Sequence, residues 1–155
     1  MSKSMKRVTA ALEAAGLNVN ILKMANETRT AADAAREVNC ELDQIAKSII
    51  FQGAESGKIY LFITAGGQQV DPAKASKLTG EPLGRADAAA VRAETGFAIG
   101  GVSPIGQLTA PAAYFDETLL RFDVIYAAAG TPHHIFPIIS QKLLEISASQ
   151  LSDFV

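Results

Sequence analysis

Two stretches of the chain carry residue types that could do chemistry together. One is a lysine set among apolar residues, Ile45-Ala46-Lys47-Ser48-Ile49-Ile50-Phe51. The other is the loop Gly96-Phe97-Ala98-Ile99-Gly100-Gly101-Val102-Ser103-Pro104-Ile105-Gly106. A cation at the rim of an apolar cavity can position a phosphate or polarise an ester oxygen. Gly100 and Gly101 have no Cβ and can take positive φ, which lets a loop turn its N–H groups toward an oxyanion or a small ligand. Pro104 fixes the exit of that loop. Each stretch also has a plainer explanation. Lys47 could stand at the mouth of a strand with its head in water, and the glycine loop could be a tight turn between strands.

Other chemistry fails on inspection. Gly101-Val102-Ser103-Pro104-Ile105-Gly106 is not a nucleophile elbow, because its second glycine comes one residue late. The residue after such a serine must donate its N–H to the oxyanion, and Pro104 has none. Ser103 is better read as a partner in a loop hydrogen bond. No phosphate-binding P-loop and no G-x-G-x-x-G occurs. His133 and His134 are adjacent, with no thiol or acidic cluster at ligand spacing, so no metal is expected. In an extended segment their rings point to opposite faces, so one could line a pocket while the other meets solvent. Cys40 reads as a small apolar residue near a helix end. From the residues alone, the site is a metal-free small-ligand or acyl-transfer pocket.

Helices and strands must bring these pieces together. Val8, Ala11, Leu12 and Ala15 predict a helix over 5–15, stopped by Gly16. Val19 to Leu22 reads as a short strand, and Asn26 to Arg29 as a polar loop. Thr30 caps a helix over 31–38 that closes at Asn39. Leu42, Ile45 and Ala46 suggest one more helical turn before a strand begins at Ser48. Gln52 to Lys58 reads as a hairpin connection. Ile59 to Thr64 is the clearest strand, apolar enough to be buried on both faces. Gly66-Gly67 turns the chain, and Gln68 to Asp71 could continue the sheet. Asp71-Pro72 opens a helix that runs to about Leu78 and stops near Gly80. Asp87 caps a helix over 87–94, ended by Gly96. Further strands are expected at Ala112 to Phe115 and at Val124 to Ala129. A turn follows at Thr131 to His134, then a short element at Ile135-Phe136 and a helix over 138–146.

With 155 residues, 48% of them hydrophobic and 19% charged, the chain can build one domain with a sizeable core. The single cysteine makes no internal disulfide, which fits a reducing, cytoplasmic setting. The basic N-terminus is followed by no apolar run of signal length, and no run is long enough to span a membrane. A net charge of −2 argues against a protein that grips many phosphates of DNA or other nucleic acid non-specifically. Strands and helices are interleaved irregularly, against a regular βαβ array.

These motifs, in this order, resemble the YbaK/ProX family of free-standing aminoacyl-tRNA editing domains, related to the insertion domain of bacterial prolyl-tRNA synthetase. The likeness rests on Lys47 within Ile45 to Phe51, on Phe62-Ile63-Thr64-Ala65-Gly66-Gly67-Gln68-Gln69-Val70-Asp71, and on Ala86-Asp87 to Thr95-Gly96. Gly100 to Pro104 matches the family's G-x-x-x-P loop, and the strand with Gly130 completes the match. The resemblance covers nearly the whole chain, 1–155, as one domain. It implies an α+β fold with a barrel-like mixed, mostly antiparallel sheet surrounded by helices. It implies deacylation of mischarged tRNA in trans, with no cofactor and no covalent intermediate. Lys47 would hold the terminal nucleotide or the ester. The backbone of Gly100 and Gly101, with Val102, Ser103 and Pro104, would bind the aminoacyl group and its developing oxyanion. Thr28, Arg29, Thr30, Ser48 and His133 would contribute to the substrate pocket. The expected partner is the acceptor end of an aminoacyl-tRNA, with tRNA-Pro carrying Ala, Ser, Thr or Cys as the substrate class. Cognate proline would be excluded by pocket size, and a prolyl-tRNA synthetase partner is left open. The competing readings are a non-catalytic module that binds tRNA or a synthetase, and a small-molecule hydrolase.

Overall fold

The computed structural model describes residues 1–25 and 30–155. Helix α1 (Lys3–Ala14) is opened by Ser2, whose side chain accepts from Met5 N, and it buries Met5, Val8 and Leu12 along one stripe. Strand β1 is only Leu22–Lys23. Helix α2 (Ala31–Val38) begins with a reciprocal box. Thr30 accepts from Asp33 N, and the Asp33 side chain accepts from Thr30 N. It ends at Asn39 in the left-handed region. A 3₁₀ turn (Leu42–Gln44) leads into β2 (Ile45–Gly53), which hairpins into β3 (Ile59–Ala65). Helix α3 (Pro72–Thr79) starts on the Asp71 cap with proline at its first position and stops at Gly80, φ 80°. Then follow β4 (Leu83–Arg85), α4 (Ala88–Thr95), β5 (Ala112–Asp116), β6 (Val124–Ala128), β7 (His134–Ile139), α5 (Ser140–Ile146) and β8 (Gln150–Ser152).

The eight strands form one sheet in the order β1-β7-β6-β2-β3-β5-β8, with β4 also paired to β2. Pairing is antiparallel for β1–β7, β7–β6, β2–β3 and β2–β4, and parallel for β6–β2, β3–β5 and β5–β8. The fold is therefore mixed α+β with a mostly antiparallel sheet. Strand β2 changes partner along one edge. Its start, Ile45 and Ala46, runs beside Tyr126 and Ala127, while its end, Phe51 to Gly53, runs beside β4. That fork leaves a gap in the ladder on β6's side of Lys47.

All seven residues of β3 are buried, as its apolar run demands. One face, with Leu61, Ile63 and Ala65, packs under α1, α4 and α5 together with Val8, Val91, Phe115, Phe136 and Leu143. On the other face Phe62 stacks on Tyr114 at 5.0 Å and meets Phe51 and Phe154 edge-on at 5.7 and 5.1 Å, under Ala75 and Leu78 of α3.

The sequence pattern misleads at five places, the first being Val19 to Ile21, which are not strand because only Leu22 and Lys23 pair with β7. Ile45 and Ala46 are strand rather than helix, because the parallel ladder to β6 claims them. Gln68 to Asp71 leave the sheet, and Asp71 N donates instead to Phe154 O at 2.7 Å. Ile138 sits opposite Ile125 in β7, so α5 starts only at Ser140. The short strands β4 and β8 carry no periodicity of their own. The polar loop expected over Asn26 to Arg29 lies outside the described residues. Among the described residues, no helix is long and apolar enough to cross a membrane.

Candidate functional site

Residues alternate between the two faces of β2. Lys47 stands opposite Thr64, and Ser48 opposite Ile63 on the other face. The Lys47 stem is half-buried, and its Nζ donates to Gln68 O at 2.6 Å. That carbonyl belongs to the turn after β3, which is held from three more sides. Gly67 N donates to Asp43 Oδ1 at 2.7 Å, Ala65 N donates to Asp116 Oδ2 at 3.0 Å, and Gln68 N donates to Ala65 O at 2.9 Å. Burial pushes the Lys47 ammonium below its usual pKa, and the Asp43 and Asp116 carboxylates oppose that shift.

The glycine loop is fixed from below by α1. Gly96 ends α4 at φ 80°, and its carbonyl accepts from Arg7 Nη2 at 2.6 Å. The same guanidinium lies over Phe97, 5.0 Å from the ring centre. Ile99–Gly101 then make one 3₁₀ turn in which Gly101 N donates to Ala98 O at 2.9 Å. Gly101's donor is thereby used inside the loop. The N–H groups of Gly100 and Val102 meet no acceptor among the described residues. Neither Gly100 nor Gly101 has positive φ. Gly101 is required for a different reason: a β-carbon there would lie 2.9 Å from Thr131 Cα and 3.0 Å from its carbonyl carbon. The loop and the turn after β6 therefore press backbone to backbone.

That turn forms the third wall. His134 Nδ1 and Thr131 Oγ1 are 2.6 Å apart, and Met24 N donates to His133 O at 2.7 Å, tying the turn to β1. Burial, followed by the positive charges of Lys23, His133 and the amino end, pushes His134 below its usual pKa. The ring is thus neutral at pH 7.

Between these three walls lie two open cavities that share part of their lining. The inner one, about 150 Å³, lies among Ala46, Ala127, Gly100, Val102, Thr131 and His134. The outer one, about 520 Å³, is bordered by Leu42, Ile49 and Gly66. Both share Thr30, Ala31, Lys47, Ser48 and Gly100. A dry cavity of ~150 Å³ holds one benzene ring, so the volume of the inner cavity is no bar to a proline ring. Ser48 Oγ is buried in the wall with no hydrogen-bond partner among the described residues. Chemically, the arrangement offers a half-buried cation on one side of a small pocket of mixed polarity and, on the other, the Gly100 to Val102 loop with two N–H groups that meet no acceptor among the described residues. That suits a small ester whose carbonyl becomes negative as it reacts.

Of the residues picked out from sequence, Lys47, Ser48, Thr30, Gly100 and Val102 converge on these cavities. Gly101, Ser103 and Pro104 are buried behind the wall and do not line it. Ser103 Oγ accepts from Ile105 N at 3.4 Å, and Ser103 O accepts from Gln107 Nε2 at 3.1 Å, which is the loop role expected of it. His133 is exposed and outside the lining, whereas His134 is inside it. Thr28 and Arg29 lie outside the described residues. Sequence reasoning missed Thr131, Ile99 and the small pair Ala127-Ala128. The expectation named His133, but His133 sits in the turn and β7 begins at His134, so it is His134 that reaches the lining.

Comparison with known proteins agrees with this geometry. The family described as "Aminoacyl-tRNA editing domain" matches residues 25–146. The uncharacterized protein YwhH of Bacillus subtilis (strain 168) is 29% identical over 132 residues, covering 85% of this chain and 83% of its own. A crystal structure of a protein proposed as a trans-editing enzyme for prolyl tRNA synthetase superposes with a TM-score of 0.90 at 42% identity, covering 99% of this chain and 98% of that one. The hypothetical protein APE2540 superposes with a TM-score of 0.85 at 26% identity, over 96% of this chain and 98% of its own. The match spans every wall of the cleft, from Thr30 through Lys47 and Gly100 to His134, and the chain belongs to the aminoacyl-tRNA editing domain family.

Proposed function

We propose that this chain is one editing module that hydrolyses the ester of mischarged aminoacyl-tRNA in trans, with tRNA-Pro carrying a small non-cognate amino acid as its substrate. The observation that carries the reading is the pair of cavities that share Lys47, Ser48 and Gly100. The small inner cavity suits the side chain of Ala, Ser, Thr or Cys. The larger outer cavity suits the terminal nucleoside. The ester joining the two would lie at their junction, beside the Lys47 ammonium and the unpaired N–H groups of Gly100 and Val102.

In this reading Lys47 binds the ester or terminal nucleotide and stabilises negative charge. Gly100 and Val102 donate to the carbonyl oxygen as it becomes an oxyanion. The nucleophile is water or a hydroxyl of the substrate itself. An activated ester needs positioning and charge stabilisation more than it needs a strong base. Neutral His134, held by Thr131, borders the inner cavity as a polar contact. Since volume does not reject proline, discrimination falls to polar groups such as the unpaired Ser48 hydroxyl, and each is worth only about 1 kcal/mol. The relative proposed as a trans-editing enzyme for prolyl tRNA synthetase supports tRNA-Pro as the carrier and that synthetase as a partner. The work is placed in the cytoplasm, where charged tRNA is found.

The test is a panel of tRNAs mischarged with Ala, Ser, Thr, Cys and Pro, assayed for ester loss. Hydrolysis of one or more small amino acids with proline spared supports the reading. Survival of every ester overturns it.

A further inference from the structure

Two basic elements that do not line the cleft, the first turn of α1 and β1, meet beside the turn that forms its third wall. The first turn of α1 lies against Gly130, where an added β-carbon would be 3.0 Å from both C and O of Ser4. Gly130 immediately precedes the turn Thr131 to His134, so Lys3 and Lys6, both exposed on that helix turn, stand next to the third wall of the cleft. From the other side, β1 sets Lys23 directly opposite His134. Facing residues of an antiparallel pair project from the same face of the sheet, and Lys23 is exposed. His133 is exposed at the tip of the turn between them.

Among the described residues, these segments carry cations and no acid. No Asp or Glu occurs from Met1 to Leu12, from Ala14 to Ala25, or from Val124 to Leu144, although the chain as a whole has sixteen acids and a net charge of −2. Two lysines elsewhere are paired, Lys74 with Asp153 and Lys142 with Glu145. Among the described residues, Lys3, Lys6 and Lys23 enter no ion pair. A concentrated positive face on an acidic protein, at the rim of the cleft, is an electrostatic footprint for phosphates.

We propose that the face made by the first turn of α1, β1 and the turn Thr131 to His134 receives the phosphodiester backbone of the single-stranded RNA end whose terminal ester occupies the cleft. This rests on the editing reading. If the ester sits between Lys47 and Gly100, the chain preceding the terminal nucleoside has to leave across the rim. Among the described residues, the rim on the His134 side carries Lys3, Lys6 and Lys23, none of them in an ion pair. Backbone contacts of this kind position the substrate and carry no sequence information. The face therefore adds affinity for any CCA end and leaves the amino acid to the inner cavity.

The test compares wild type with the triple variant Lys3→Ala/Lys6→Ala/Lys23→Ala at pH 7.5, on alanyl-tRNA or seryl-tRNA and on the corresponding 3′-aminoacyl-adenosine, which has no phosphates. The expected result is a fall of about tenfold in kcat/KM on the tRNA and a decrease of about 2 in the slope of log(kcat/KM) against log[salt]. Turnover of aminoacyl-adenosine stays unchanged. Equal activity of both proteins on the tRNA overturns the proposal. So does a parallel loss on both substrates, which would mean that the lysines shape the cavity. Binding of an uncharged CCA-ended RNA hairpin, read by fluorescence anisotropy, separates the two levels of inference. A wild type that cleaves no ester but binds the hairpin in a lysine-dependent way removes the enzyme and keeps the face. Binding that ignores the lysines removes the face.

Discussion

Lys47 Nζ and the carbonyl oxygen of Gln68 are joined by a 2.6 Å hydrogen bond, so the ammonium rests on the turn after β3 rather than in open water. The turn is itself anchored by Asp43 and Asp116, which makes the head of Lys47 a fixed group in a half-buried place. Its pKa is lowered, so the charged form is disfavoured by folding. That burden is present at neutral pH and fades only as pH rises through the folded pKa toward 10.5. Lys47→Met should then leave stability unchanged or raise it, while lowering kcat/KM for ester hydrolysis by about 100-fold. Urea unfolding and single-turnover deacylation on the same preparation check both halves.

Gly100 and Gly101 should respond oppositely to alanine. At Gly100 the nearest atom to an added β-carbon is Pro132 Cγ at 4.0 Å, so Gly100→Ala should alter stability by less than about 0.5 kcal/mol. At Gly101 the obstacle is the Thr131 backbone, and Gly101→Ala should cost about 1–3 kcal/mol. Thermal unfolding of the two variants decides. Equal midpoints would mean that the loop and the turn after β6 are not pressed together.

Ser48→Ala removes a buried hydroxyl that has no hydrogen-bond partner among the described residues. Stability should stay the same or rise by up to about 1 kcal/mol. If the hydroxyl serves a polar substrate, kcat/KM for a seryl ester should fall by about fivefold while an alanyl ester is less affected. The ratio of the two rates is the measurement.

His134 should titrate below 6.5, with burial as the larger cause and Lys23 the next. Lys23→Ala should therefore move its midpoint up, but not as far as 6.5. Ring NMR signals followed between pH 4 and 8 would show it.

Glu81 provides an acid-range test away from the cleft. It is 9% exposed and accepts from Glu55 N, Ser56 N, Ser56 Oγ and Tyr60 OH, which closes the β2–β3 hairpin. The Ser56 contacts lead in holding its carboxyl down to about 2 from an ordinary 4.5, with Tyr60 next. A depressed carboxylate stabilises the fold above its unfolded pKa and loses that contribution as pH falls from 4.5 through 2. Glu81→Gln should be less stable than wild type at pH 7, and the gap should narrow across that window in urea titrations.

The sequence made the site's two principal parts legible because each is local. A lysine in an apolar run and a G-x-x-x-P loop announce themselves without knowledge of the fold. What stayed hidden depends on distant pairing. Ile45 and Ala46 look helical until Tyr126 and Ala127 pair beside them. Ile138 fits a helical stripe but faces Ile125 in the sheet. The need for Gly101 comes from Thr131, and the choice of His134 over His133 comes from where the turn ends, since β7 begins at His134 and His133 stays exposed in the turn. The glycine loop was expected to work through positive φ, and it works through close approach instead.

The fork in β2 also bears on when the cleft comes into being. The β2–β3 hairpin is local and closes over a short loop, whereas Ile45 and Ala46 join Tyr126 and Ala127 from far along the chain. Loop closure makes the second pairing the slower one to form. The cation of the cleft thus rests on a local hairpin, and the pocket beside it on a pairing between distant parts of the chain.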